Sequence, residues 1–362
     1  MSTLTTNYLT PTGREEAWRF TPLNRLQGLH DLSITIADHP SLHCDEMPIG
    51  VTISSQPSLE TPPSSSTDDV AALKARSASS TVTVLAIAPD AVINTPIFLK
   101  RESLGQISEA SRVVIRAGNH SKATVVVENA GSAILSEDVE IILEPGASLT
   151  FITLQEWEND AIHLGRHHAI IGKDATFTSI VVTIGGSLVR LLPTVEYAGP
   201  GSSAEMLGLY FAGAGQHLEH RIHVDHNVGH AKSRVNYKGA LSGESARTVW
   251  IGDVFIRAAA EATDTYELNR NLLLSDGARA DSVPNLEIET GDIVGAGHAS
   301  TTGRFDDEQL FYLQSRGIPE AEAKRLVIRG FFLEILSKIG IEAIEERIMG
   351  RIDNELSSVV IG

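Results

Sequence analysis

Between about Thr81 and Val294, short apolar runs rich in β-branched residues alternate with glycine-centred turns, a pattern that predicts strand after strand. The runs include Val82-Thr-Val-Leu85, Val113-Val-Ile115, Val125-Val-Val127, Ile141-Ile-Leu143 and Ile180-Val-Val182. The turns Gly118-Asn-His-Ser-Lys-Ala, Gly146-Ala-Ser-Leu, Gly172-Lys-Asp-Ala-Thr, Gly199-Pro-Gly-Ser-Ser-Ala and Gly229-His-Ala-Lys-Ser recur roughly every 26–30 residues, and Gly277-Ala-Arg-Ala-Asp follows later. A turn repeating between short strands fits a β-solenoid, in which each coil buries its face on the next. A jelly roll or sandwich of the same strand content stays open on spacing alone.

The pattern changes at both ends. Residues 1–80 form an N-terminal helical region with a linker, and its first thirty residues carry a helical pattern around Arg14-Glu-Glu-Ala-Trp-Arg-Phe20, which Pro22 should stop near Phe20. Residues 54–68 are polar and rich in Pro and Ser, and read as an exposed linker. A short helix is expected over Asp68 to Ser77, capped by Asp68 or Thr67. The β region spans 81–303. Residues 304–362 then turn helical: Asp306 with Gln309 resembles a capping box, Asp307 and Glu308 suit a first turn, and Gly317 ends the helix. Pro319 suits the first position of a second helix, running to about Lys338 before Gly340. Ile341, Ile344, Ile348, Ile352 and Leu356 form the apolar stripe of a third.

Composition narrows the function classes. The 362 residues hold 29 basic and 46 acidic side chains, a net charge of −17, which opposes attraction to phosphate backbones or anionic lipid. No apolar run has the length of a membrane span, and Met-Ser-Thr-Leu-Thr-Thr-Asn lacks the features of a secretory signal, so a cytoplasmic protein is expected. Cys44 is the only cysteine, so a multi-thiolate site needs sulfur from another subunit. Within His43-Cys-Asp-Glu-Met-Pro48 it is either activated by its histidine neighbour or an inert small hydrophobe.

Candidate chemistry is sparse. His217, His220, His223 and His226 are spaced by three, but on a strand His220 and His226 share one face and His217 and His223 the other. They suggest either a metal-dependent enzyme or dispersed histidines with separate partners. Gly213-Ala-Gly215 and Gly295-Ala-Gly297 do not precede helices as phosphate loops must, and read as turn glycines. Ser187, Ser242 and Ser300 lack the nucleophile-elbow context, and the pairs Asp306-Asp307 and Glu345-Glu346 read as helix charges. No stripe of convergent acids suggests a carbohydrate-active solenoid. His298, flanked by Gly297 and Ala299, is either open to a partner surface or buried and hydrogen-bonded.

Several segments together resemble the SufD family, subunits of an iron–sulfur cluster assembly complex. They are Glu15-Glu16-Ala-Trp-Arg-Phe-Thr-Pro-Leu-Asn-Arg-Leu26, Asp225-His-Asn227, Ser233-Arg-Val-Asn-Tyr-Lys-Gly239, Leu268-Asn-Arg-Asn-Leu-Leu-Leu-Ser275, Pro284-Asn-Leu-Glu-Ile288, His298-Ala-Ser-Thr-Thr-Gly303 and Leu310-Phe-Tyr-Leu-Gln-Ser-Arg-Gly-Ile318. The resemblance implies a mainly β fold, a right-handed parallel β-helix flanked by N- and C-terminal helical regions. It implies a scaffold without catalytic activity of its own that pairs with SufB through β-helix ends, docks the ATPase SufC on its C-terminal helical region, and contributes to iron acquisition. A transient iron–sulfur cluster, shared with SufB, would take His298 as a ligand, and this chain would bind no nucleotide. Leu310, Phe311, Tyr312, Arg316, Phe331, Phe332 and Leu336 are the candidate partner contacts, and a homodimer of the isolated chain stays open. Family members often read Cys-Ser-His-Gly-Ala-Thr where this chain has Ala296-Gly297-His298-Ala299-Ser300-Thr301, which removes a thiolate but keeps the imidazole. The absence of cysteine from the β region favours SufD over its sister SufB.

Overall fold

The structure, a computed structural model, describes residues 10–38, 42–101, 105–305 and 307–359, with backbone alone at 307, 309 and 357–359. The chain opens with strands β1 (Ala37–Asp38) and β2 (Val51–Pro57) and helix α1 (Val70–Ala78). The strands β3 (Thr81–Ile87), β4 (Ile97–Arg101), β5 (Ser108–Ala117), β6 (Lys122–Gly131), β7 (Ile134–Leu143), β8 (Ser148–Trp157), β9 (Ile162–Ile171) and β10 (Thr176–Ile184) follow. Next come β11 (Leu188–Tyr197), β12 (Ser203–Ala212), β13 (His217–His226), β14 (Lys232–Leu241), β15 (Arg247–Ile256), β16 (Thr263–Leu273), β17 (Arg279–Ile288) and β18 (Ile293–Arg304). The tail is α2 (Asp307–Ser315), α3 (Glu320–Ile339) and α4 (Glu342–Val359). No helix among the described residues is long and apolar enough to cross a membrane.

Odd-numbered strands from β3 to β17 stack in one sheet and even-numbered strands from β4 to β18 in the other. Within each sheet every strand pairs in parallel with the one two places on, so the chain changes sheet at each turn and climbs one coil per two strands. About eight coils result. The parallel register decides against a jelly roll; among the described strands only β2 pairs antiparallel, with β3. Side chains repeat coil upon coil, as in the inward column Ala123, Leu149, Phe177, Ala204 and Ser233.

The repeating glycines sit at one corner of these coils. Asp90, His120, Gly146 and Asp174 adopt left-handed backbone there, and each N–H donates to a turn carbonyl of the next coil, at Asn119, Pro145, Lys173 and Pro200. Gly118 and Gly172 lead into such turns so tightly that an added Cβ would stand 2.6 Å from Pro89 N and from Leu143 O respectively. Gly277, which the repeat appeared to continue, belongs to the opposite corner between β16 and β17. The corner after Gly229 is closed instead by Ala262, with φ of 54°.

Both outer faces are covered by the chain's own ends. Trp18, Leu26, Leu29, Ile36, Val70 and Ala71 pack over Ala110, Ile134, Ile162, Leu164 and Leu188 of the odd-numbered sheet. On the even-numbered sheet, Val126, Ile152, Ile180, Leu207 and Phe211 are buried under Ile328, Phe332, Ile335, Ile344, Ile348 and Ile352 of α3 and α4. The predicted isoleucine stripe of α4 is therefore its packing face.

Several local expectations need correction. The helix at Arg14–Phe20 is only a 3₁₀ turn at Glu16–Trp18, followed by another at Leu23–Arg25. There Trp18 packs under the Arg190 guanidinium, 4.0 Å from the ring centroid, so a tertiary contact sets the local geometry. Residues 54–68 are not a free linker. Ser54–Pro57 lie in β2, the Ser64 N–H donates to Glu140, and Arg76 donates to the Ser65 carbonyl. Buried Asp138 and Glu140 on the outer face demand these donors and Arg76 itself. The cap of α1 is Asp69, whose carboxylate accepts from Ala72 N, while Thr67 Oγ1 accepts from Asp69 N. Pro319 is the N-cap of α3, one residue before its expected place, and Gly340 closes that helix in left-handed geometry. Gly295-Ala-Gly297 lies inside β18 and is not a turn. The proposed Asp306–Gln309 cap falls outside the described side chains.

Phe332 is wholly buried between α3 and the sheet. Phe332→Ala should therefore cost about 3–5 kcal/mol of stability, read as a lowered urea midpoint; a loss below about 1 kcal/mol would mean that the tail does not pack on this face.

Candidate functional site

The two ends of the solenoid differ. At the N-terminal end, antiparallel β2 covers β3, and a bridge from His43 to Lys100 covers β4. At the other end, β17 pairs only with β15, and β18 only with β16, among the described residues. A strand edge left in this state offers a row of backbone donors and acceptors for pairing. Register places Ser282, Pro284 and Leu286 opposite the interior residues Trp250, Gly252 and Val254, and Ala296, His298 and Ser300 opposite Thr265, Glu267 and Asn269. The last coil thus presents interior positions with no further coil above them.

His298 stands among these positions with its side chain 45% exposed. Its Nδ1 lies 3.6 Å from Oε1 of Glu267, whose side chain is 1% exposed and whose two oxygens find no hydrogen-bond partner among the described residues. The absence of a side chain at Gly252 makes the space for this carboxyl, since an added Cβ would come within 2.1 Å of Oε2. Burial, reinforced by nearby Asp253, pushes the Glu267 carboxyl up to about 8, so it holds a proton at neutral pH. Beside it, Ser300 Oγ donates to Ser282 Oγ, which donates to Asn269 Oδ1, tying the two sheets together at the mouth (both 2.7 Å).

An exposed imidazole over a buried, unpartnered carboxyl can receive a borderline metal centre whose other ligands come from elsewhere. It cannot hold one alone: no group of three or more metal-ligating side chains occurs among the described residues. Cys44 does not help. It sits beside the β4 edge, at the opposite end, with its thiol donating to Glu46 O, and burial raises its pKa.

The four spaced histidines do not converge either. His220 and His226 point into the solenoid, where His220 stacks on Tyr210 and bonds Thr183, and His226 stacks on Tyr197 and bonds Ser233. Burial lowers their pKa values to about 3 and about 4, leaving both neutral. His217 lies on the outer face, bonded to Glu219, and His223 lies beside Phe255. For Glu219 burial acts upward, but the His217 bond and the Arg190 charge outweigh it and hold the carboxyl at about 2. Each histidine has its own structural neighbour, and the metal-enzyme reading loses its site.

In the tail, Phe311 and Tyr312 of α2 are 72% and 57% exposed, and exposed Arg316 lies 5.2 Å from the Tyr312 ring. Leu310 is half-buried, and Phe331 is half-buried against Phe332 and Lys238. Phe332 and Leu336, counted among candidate partner contacts, are instead buried in the chain's own core. Leu326 and Leu333 of α3 are exposed and were missed by the sequence reading. Glu267 was missed as well; its signal is an acid in phase with the inward-facing Thr265, Asn269 and Asn271.

A family description, the SufBD core domain of SUF-system iron–sulfur cluster assembly, matches residues 100–331. The chain belongs to the SufBD family. An iron–sulfur cluster assembly SufBD family protein of Mycobacterium bovis is 46% identical over 361 residues, covering 96% of this chain and 89% of the relative. A SufBD family protein of Mycobacterium leprae is 46% identical over 362 residues, covering 96% and 91%. The iron–sulfur cluster assembly protein SufD of Escherichia coli is 30% identical over 194 residues, covering 54% of this chain and 45% of that protein. The SufBD core match contains the whole solenoid from β5 onward, including Glu267 and His298, and ends within α3.

Glu267 also sets a pH dependence. With its folded pKa near 8 and an ordinary carboxyl value of 4.5 when unfolded, the folded chain holds the extra proton between these values. Its contribution to stability therefore falls as pH rises through that window. Glu267→Gln keeps the shape and removes the slope, so urea midpoints should show the variant gaining on the native chain from pH 5 to pH 8.5; a constant difference would contradict the burial of an unpaired carboxyl.

Proposed function

We propose that this SufBD-family chain is a SufD-type scaffold subunit, without catalytic activity of its own, in a cytoplasmic SUF complex. Its unpaired last coil would join the last coil of a SufB-type sister, and its tail would dock the ATPase SufC. The observation that carries this reading is the unpaired β17–β18 end holding half-exposed His298 over the orphaned Glu267 carboxyl. A transient iron–sulfur cluster is the cargo, built at that junction as part of the complex's role in cluster assembly and iron acquisition. Imidazole suits iron when thiolates complete its coordination, and with Cys44 at the far end those thiolates must come from the sister chain. Mycobacterium leprae carries a second, more distant SufBD family relative, 29% identical over 250 residues, which supports a pair of related chains.

Exposed Phe311 and Tyr312, with Leu326 and Leu333, form the apolar tail surface on which SufC would sit. In this reading nucleotide binds SufC and not this chain.

The test is co-expression of this chain with its host's SufB and SufC and purification through a tag on this chain. All three subunits should be recovered, and His298→Ala should leave the subunit ratio unchanged while cluster content falls about tenfold or more. A complex that stays cluster-competent with His298→Ala retires the ligand role, and recovery of this chain alone retires the scaffold reading. Phe311→Glu should cost SufC but not SufB, since its side chain lies on the exposed face of α2 and not in the last coil.

A further inference from the structure

A cavity of about 600 Å³ lies between the N-terminal segment and the outer face of the odd-numbered sheet, away from the last coil's mouth. Its floor is unusual for a sheet surface. Arg166 and His168 of β9, Thr194 of β11, and Arg221 and His223 of β13 all line it, with Thr194 in register with both His168 and His223.

Two of these side chains are buried without their full complement of partners. Arg221 is 7% exposed, and its Nη1 finds no hydrogen-bond acceptor among the described residues. Its ion-pair partner is Glu219, 3.8 Å from Nη1 to Oε1. Thr21 (2.8 Å) and His217 (3.2 Å) bond Oε2 of that carboxylate, while Oε1, without a hydrogen bond among the described residues, is shared at ion-pair distance with Arg190 (3.3 Å). His168 is 6% exposed; its Nδ1 meets the Thr194 hydroxyl at 2.7 Å, while Nε2 has no hydrogen-bond partner among the described residues and lies 3.8 Å from Glu196. A buried guanidinium left in this condition is costly unless a counter-charge arrives.

Among the described residues no acid lining the cavity forms an ion pair with Arg221, although Asp253 and Asp69 favour its charge at longer range. Asp69 caps α1 and pairs with Arg190, Asp225 is held by Arg257, and Asp253 accepts from Asn285. Asp68 is exposed and Glu196 partly so, and both would repel an extended polyanion more than a compact one. Burial lowers the pKa of Arg166, of Arg221 and of His168, the last to about 3, so positive charge in this cavity is penalised as it stands.

We propose that this cavity is a binding site for a small phosphate-type oxyanion, with the Arg221 guanidinium and the His168 Nε2–H as its donors and Arg166 as a flanking charge. With the Thr194 hydroxyl donating to Nδ1, the ring proton sits on Nε2, so the site offers a fork of guanidinium donors and a separate imidazole donor. Donors on different strands suit a tetrahedral anion better than a planar carboxylate.

The test uses the full chain and inorganic phosphate, by titration calorimetry at ionic strength held constant with chloride, and acetate as the planar comparison. Saturable binding is expected, weakened about tenfold or more by Arg221→Gln, because a charge-assisted bond is lost, and partly restored by Arg221→Lys. Thermal unfolding separates a binding role from a structural one. Without phosphate, Arg221→Gln should melt at or above the native chain, and phosphate should raise the native melting temperature but not that of the variant. Absence of saturable binding, or equal binding by the variant, overturns the site. Acetate binding as tightly as phosphate overturns the ligand class. A lower melting temperature for Arg221→Gln, with the phosphate response kept, would make Arg221 a structural partner of Glu219.

Discussion

In a parallel solenoid no coil satisfies its own backbone. Each strand borrows hydrogen bonds from the coil below and lends them to the coil above, so the ladder is complete only where both neighbours exist. The ends must therefore be treated separately, and this chain treats them differently. Among the described residues, β2 and the His43 bridge cover the first coils and no strand covers the last. The inward-facing residues of β17 and β18 are consequently interior by register yet surface by exposure. That combination leaves His298 half-exposed at the open end, while Glu267 stays buried behind it.

The same stacking explains how so many polar groups enter the core. A two-sheet coil has limited inward volume per turn, and inward positions recur at fixed register whatever residue fills them. His220 is accommodated by Thr183 and a Tyr210 face, and His226 by Ser233 and a Tyr197 face. Each of these imidazole rings keeps one nitrogen without a partner among the described residues, as Glu267, Trp250 and Tyr237 near the open end keep polar atoms of their own.

Much of the fold was legible in the sequence because one physical rule repeats. Gly118 and Gly172 recur where the turn touches the coil below, and β-branched runs recur between them. The rule failed where a turn met its close approach without glycine, as at Ala262, and Gly277 misled because the opposite corner uses glycine too. The ends were less legible. Trp18, Arg76 and the 54–68 segment take their conformation from Arg190, Asp138 and Glu140, residues remote in sequence. His298 could be singled out only through family likeness. Glu267 looks like any surface acid until register turns it inward, and Phe332 looks like a docking residue until the sheet beneath it is seen.

The tail has a consequence for how the molecule is made. Its helices lie across strands from β6 to β14, and Arg347 reaches back to Glu128 and Glu156. A solenoid emerging from the ribosome can stack coil by coil as it appears. Its even-numbered face, however, stays bare until the sixty or so residues after the solenoid have been translated, several seconds at about 5–20 residues per second. Val126, Ile152, Ile180 and Leu207 are thus wet on the nascent chain and dry on the finished one. The closing helices act as a seal on completion, and a chain truncated before them would carry a continuous apolar face into the crowded cell.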